Sequence, residues 1–324
     1  MDRQIDSAWA LGPDADGPPA AAASPFGTDQ ARASGAADRL GAVGAAPGAF
    51  VLIEPMHRTT PLIFTSPHSG RRYPLAFLDA ARLGLPALRR SEDAYVDELF
   101  ASAAQHGAPV LSATIARAFI DLNRDESEID PDMFHGAPRW RSGAHSPRVQ
   151  AGLGVVPRVA GDGQDIYRSR LSYDEAERRL AQFHRPYHAL LTQLVREALE
   201  QFNCAALIDC HSMPSNARGP QNPDMVLGDR FGASCHPAVT ALAEATLRKM
   251  GYRVARNTPF AGGHTTQAYG RPSQRVHALQ IEINRSLYLD ERTLERTSGF
   301  LRVREDMSRL VEALSAARLH ESLA

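Results

Sequence analysis

Ala205-Ala206-Leu207-Ile208-Asp209-Cys210-His211 is an apolar run that closes on an Asp-x-His tripeptide, and its reading decides the fold. Leu62-Ile63-Phe64 leads in the same way into Thr65-Ser66-Pro67-His68-Ser69-Gly70. Two imidazoles thus leave buried strands at the edge where open α/β sheets place their ligand crevices. Outward from these runs, short apolar stretches alternate with amphipathic ones from Phe50 onward, the pattern of a sheet covered by helices on its faces. Strands are expected at 51–54, 62–66, 109–115, 119–122, 205–210, 225–227, 253–256 and 276–283. Helical spacing is clearest over 173–202, where Ala176, Leu180, Phe183, Tyr187, Leu190, Leu191, Leu194 and Leu199 recur at three and four residues. Pro186 is expected to kink that helix. Further helices are expected at 86–105, 237–250 and 290–318. The stretch 125–169, rich in Pro, Gly and Arg, reads as a long functional loop, a lid or pocket wall.

A chain of 324 residues, 43% hydrophobic and 23% charged, can bury one large core. Residues 49–324 are expected to form a single catalytic α/β domain. Residues 1–48, dominated by Ala, Gly, Pro, Ser and Asp, read as a disordered tail, with a terminal helix at 30–40 as the alternative. Lys+Arg at 36 against Asp+Glu at 37 leaves a net charge of −1, which offers no electrostatic footprint for nucleic acid or an anionic membrane. Cys204, Cys210 and Cys235 lack CxxC spacing, so neither a disulfide framework nor a sulfur-rich zinc site is expected, and a reducing cytoplasm is the simplest compartment. No apolar run approaches the roughly 20 residues needed to span a bilayer. No secretory signal is expected at the N-terminus.

Catalytic zinc takes three His, Asp or Glu ligands and keeps a fourth position for water. His68 and His211 can supply two, and Ser91-Glu92-Asp93 lies where a helix could present the third, Asp93 in preference to Glu92. The same tripeptide also reads as an ordinary acidic first helical turn. In Gln280-Ile281-Glu282-Ile283-Asn284 the polar residues share one strand face. Glu282 there is either a general base, taking a proton from the attacking water and passing it to a leaving amine, or a strand glutamate paired with an arginine. Arg124, after Asn123, suits a substrate carboxylate because guanidinium forks onto it through two hydrogen bonds; its alternative is solvated surface. His264, after Gly262-Gly263, can orient a substrate or sit on a surface loop. Asp224 and Arg285 are weaker candidates for the pocket wall. Ser69 and Ser212 lie outside any G-x-S-x-G elbow, dinucleotide and P-loop motifs are absent, and Cys210 points away from the His211 face.

Ser66-Pro67-His68-Ser69-Gly70, Asp121-Leu122-Asn123-Arg124, Gly152-Leu153-Gly154-Val155-Val156-Pro157-Arg158, Asp209-Cys210-His211-Ser212-Met213-Pro214 and Gln280-Ile281-Glu282-Ile283-Asn284-Arg285 together resemble the N-formylglutamate amidohydrolase family over about residues 50–315. The resemblance implies a zinc-carboxypeptidase-like three-layer sandwich, with a central mixed, mostly parallel sheet, helices on both faces and one Zn2+ per chain. Carboxypeptidases bear H-x-x-E, but Arg71 stands three residues after His68, so the carboxylate ligand must come from elsewhere, which is what brings in Asp93. Taken with the reading of the residues above, the expected set is His68, Asp93 and His211 on the metal, Glu282 as catalytic base, and Asn123, Arg124, His264 and Arg285 toward a small acidic substrate. The implied reaction releases formate from an N-formyl amino acid, N-formyl-L-glutamate above all, as a late step of histidine degradation. Two alternatives stand beside it: a zinc amidohydrolase or peptidase acting on another N-acyl amino acid or short peptide, and a non-catalytic binder of acidic ligands on the same fold. Metal analysis separates the last from an enzyme.

Overall fold

The computed structural model describes residues 9–11, 39, 44–137, 146–217, 222–317 and 323. Most of the expected tail at 1–48, including all of the alternative helix at 30–40 except Arg39, lies outside the described residues, as do 138–145 of the long loop. Within that tail, Trp9–Leu11 pairs antiparallel with Arg72–Pro74. The chain groups into two compact units, one of 1–50, 68–92 and 113–190, the other of 51–67, 93–112 and 191–324.

The second unit carries all but Phe50 and Ala113 of the central sheet. Its strands are β1 (Phe50–Ile53), β2 (Leu62–Ser66), β3 (Val110–Ala113), β4 (Ala205–Met213), β5 (Met225–Gly228), β6 (Val254–Arg256) and β7 (Val276–Asn284), in the spatial order β6-β5-β7-β4-β2-β3-β1. β2 runs parallel to β3 and β4, β4 to β7, and β5 to β6, while β5 and β7 are antiparallel. The sheet is therefore mixed and mostly parallel, as expected. β4 and β7 are buried at every position, which strands covered on both faces require. One face presents Phe64, Ile208, Cys210, Leu279 and Ile281 to Leu247 of the helix Pro237–Lys249 and to Leu310 and Leu314 of the helix Gly299–Ala316. Each such side chain contributes roughly 1.5–3 kcal/mol on burial. The alternate residues Thr65, Asp209, His211, Gln280 and Glu282 occupy the opposite face, where the short helix His264–Tyr269 packs on β4 and β7.

Tyr173–Arg179 runs through a π turn at Leu180–His184 into the helix Arg185–Phe202. Pro186 has no N–H to give the Gln182 carbonyl four residues back, and that carbonyl accepts from Ala46 N instead, at 3.0 Å. The expected kink is thus a π turn just before the proline.

Three expected elements differ. No strand forms at 119–122, because its carbonyls turn to side chains: Phe119 O accepts from Arg179 Nη1 at 2.8 Å, and Leu122 O pairs with His188 Nε2 at 3.0 Å. The helix expected at 86–105 breaks into Leu85–Arg89, Val96–Leu99 and a 3-10 segment Ala101–His106. Tyr95, in the left-handed region at φ 64°, marks the break. The last helix begins only at Gly299, since Leu294 at φ 60° and a bridge between Leu289 and Arg296 hold 290–298 as a turn.

Candidate active site

Register explains how two strands deliver one polar cluster. β4 and β7 pair Asp209 with Gln280 and His211 with Glu282, and β2 pairs Thr65 with Asp209, so all five side chains leave the same face. Thr65 Oγ1 donates to Asp209 Oδ1 at 2.8 Å, and Asp209 Oδ2 lies 2.9 Å from His211 Nε2. The other ring nitrogen, Nδ1, lies 3.0 Å from Asp93 Oδ2. Arg285 donates from Nη2 to Asp93 Oδ1 at 2.8 Å and from Nε to Ser212 Oγ at 3.1 Å. Burial works against charge on His211, but Asp209, Asp93 and Glu282 outweigh it and hold its pKa well above that of a free imidazole.

His68 follows β2 directly. Its Nε2 lies 2.7 Å from Asp121 Oδ1, and Asp121 Oδ2 accepts from Arg117 Nε at 2.9 Å. Burial disfavours ionisation of Asp121, yet Arg124, His68 and Arg117 overcome it and hold the carboxyl well below the usual range. Gly70, two residues on, sits so close to the Ile115 carbonyl that a Cβ would lie 2.0 Å from its oxygen. Only glycine permits that approach.

Among the described residues one group of His, Cys, Asp or Glu could hold a metal ion: His68, Asp93 and His211, all buried, with ligand atoms within 4.8 Å of one another. The donor chemistry fits zinc. Each imidazole has one nitrogen against a buried carboxylate, Asp121 for His68 and Asp209 for His211, which fixes the ring and leaves the other nitrogen as ligand. Arg285 fixes the third donor through its far oxygen. Asp121→Asn should therefore weaken metal binding at this candidate group by about 10–100-fold, as measured by competition with a chromophoric chelator.

Glu92 is engaged elsewhere, accepting from Tyr73 OH at 2.6 Å and from Arg89 Nε at 3.1 Å. Glu282 Oε1 accepts from Gln280 Nε2 at 2.7 Å, and Gln280 Oε1 accepts from Gly263 N at 2.7 Å. His264 begins the short helix immediately after that glycine. Arg124 is buried, with Nε on Leu153 O at 2.9 Å and Nη1 on Asn123 O at 2.8 Å, while Asn123 N donates to Asp121 Oδ1 at 2.8 Å. Its neighbour segment 152–158 approaches closely, since a Cβ on Gly154 would lie 2.4 Å from Glu128 O. Arg285, expected on a pocket wall, bonds to the metal-ligand candidate Asp93, and Asp224 is forked onto Arg253. Cys210 is fully buried, and burial pushes its thiol well above its ordinary pKa.

The family profile described as N-formylglutamate amidohydrolase matches residues 60–289. The chain belongs to the N-formylglutamate amidohydrolase family. An N-formylglutamate deformylase of Pseudomonas putida is 34% identical over 244 residues, covering 71% of this chain and 82% of that protein. An N-formylglutamate deformylase of Pseudomonas aeruginosa is 32% identical over 237 residues, covering 71% and 83%. The crystal structure of N-formylglutamate amidohydrolase from Ralstonia eutropha JMP134 superposes with a TM-score of 0.78 at 36% identity, over 85% of this chain and 98% of that one.

In this member of the amidohydrolase family, three side chains that the sequence reading names without giving them a role take part in the cluster: Asp121, Asp209 and Gln280. Two of them stand two positions before a candidate residue on the same strand, Asp209 before His211 and Gln280 before Glu282. Asp121 offered only its place in the Asp-Leu-Asn-Arg motif.

Proposed function

We propose that the chain is a zinc-dependent amidohydrolase that removes the formyl group from an N-formyl amino acid, N-formyl-L-glutamate in the first place, to give formate and glutamate. The observation that carries this reading is the donor triad His68, Asp93 and His211, each member braced from behind by Asp121, Arg285 or Asp209. The deformylase names of the two Pseudomonas relatives support the substrate. When bound, zinc supplies a Lewis acid for the formyl carbonyl and lowers the pKa of water.

The remaining chemistry belongs to the chain. Glu282, held by the Gln280 amide, takes a proton from the water that attacks the formyl carbon and delivers it to the nitrogen as the C–N bond breaks. Arg124, with Asn123, meets a substrate carboxylate; its Nη2 makes no hydrogen bond among the described residues. His264 lies at the end of the chain of bonds from Glu282 through Gln280 to Gly263 and orients the substrate. Arg285 acts on Asp93 as a positioning residue. Three free, buried cysteines suit a reducing cytoplasm, and no helix among the described residues is long and apolar enough to cross a membrane.

A panel of N-formyl and N-acetyl amino acids, assayed with chelator and with zinc restored, tests the proposal. N-formyl-L-glutamate should give the highest kcat/KM, and activity should vanish with chelator and return with zinc. Equal turnover of N-acetyl substrates would remove the formyl assignment, and activity indifferent to chelator would remove the metal.

A further inference from the structure

The loop that carries Asn123 and Arg124 has no partner strand, and a helix holds it instead. Arg179 Nη1 donates to Phe119 O at 2.8 Å; His188 Nε2 lies 3.0 Å from Leu122 O; His184 Nε2 lies 2.8 Å from Arg124 O; and Arg185 Nε donates to Glu126 Oε2 at 2.8 Å. A carbonyl only accepts, so both imidazoles carry their proton on Nε2. The two rings lie side by side, centroids 4.4 Å apart.

The π turn at Leu180–His184 makes this possible. At 3.6 residues per turn, positions five apart such as Arg179 and His184 diverge by roughly 140° around the axis. A turn closed by i→i+5 bonds brings such positions nearly into line, so Arg179 joins His184 and His188 on the side that meets the loop. Arg179 is fixed there by the ring of Phe119, 4.0 Å from its guanidinium carbon, and by Tyr167 OH at 2.7 Å.

We propose that this π-turn helix is the template that sets the Arg124 guanidinium, and that His184 and His188 are positioning residues for recognition of an acidic substrate. The inference rests on the reading of Arg124 as the group that meets the substrate carboxylate. Losing the bond to the Arg124 carbonyl frees the loop at the residue whose side chain must be placed, and small displacements of a binding group are costly even without contact to the reacting atoms.

The test compares N-formyl-L-glutamate with its two monoamides, N-formyl-L-glutamine and N-formyl-L-isoglutamine, in Arg124→Ala, His184→Leu, His184→Gln and His188→Leu. His184→Leu should raise KM for the diacid by roughly tenfold with kcat nearly unchanged. It should have little effect on whichever monoamide lacks the carboxylate that Arg124→Ala identifies. His184→Gln, whose Nε2 amide donates from a similar position, should keep KM near that of the unsubstituted enzyme. If His184→Leu does not fold, His188→Leu, whose ring is only half-buried, makes the same comparison. A uniform loss of kcat on all three substrates, or an unchanged KM for the diacid, would overturn the template. Unchanged KM values in Arg124→Ala would instead overturn the reading of Arg124 itself.

Discussion

Glu282→Gln should lower kcat for N-formyl-L-glutamate by about 10²–10⁴-fold, with zinc content and melting temperature nearly unchanged. The size of the effect follows from how side chain 282 is held. Gly263 N donates to Gln280 Oε1, which turns the Gln280 Nε2 toward position 282. A glutamine there must present its carbonyl oxygen to that amide, and its NH2 group then occupies the place of the second carboxylate oxygen. An NH2 group cannot accept the water proton. Volume, backbone and the bond from Gln280 all persist, so the loss falls on proton transfer rather than on the fold. Steady-state kinetics together with metal analysis check it; a kcat within tenfold of the unsubstituted enzyme would mean that another group is the base.

How much of this was legible in the sequence depends on what holds each residue. His211 and Glu282 lie on strands buried along their whole length, where period-two alternation alone decides which side chains share a face, and the alternation in 205–211 and 280–284 is plain to read. The run 119–122 has the same apolar look, but its backbone bonds go to Arg179 and His188, far along the chain, and a run of residues carries no record of that choice. Asp93 could be named but not placed. It was expected on a helix, whereas it precedes a break set by the left-handed Tyr95, a conformation with no local signature in a tyrosine. Arg285 was legible as a charged residue at a strand end, yet only the tertiary arrangement turns it onto Asp93 Oδ1. Alternation thus tells which strand side chains share a face, whereas the partners of the loop side chains are set by contacts far along the chain.

Asp93 and Glu92 are adjacent, both are buried, and substitution should separate them cleanly. With Asp93 as the proposed third ligand, Asp93→Asn should abolish activity at limiting zinc and weaken zinc binding by more than the roughly 10–100-fold that loss of an outer partner costs, because a neutral amide replaces the anionic donor. Asparagine is the right replacement: its carbonyl oxygen can still accept from Arg285 Nη2, whereas alanine would strip a buried guanidinium of its Asp93 partner and cost about 3–5 kcal/mol of stability. Glu92→Gln should behave in the opposite way. Its carboxylate joins Tyr73 and Arg89, so the amide should keep zinc and turnover while lowering stability by about 1–3 kcal/mol through weaker bonds to the arginine. Zinc titration against a chromophoric chelator reads the first effect, and thermal melting of the metal-free proteins reads the second. Zinc retained by Asp93→Asn and lost by Glu92→Gln would transfer the third ligand to Glu92, and the bonds that Arg285 and His211 make to Asp93 would then need another purpose.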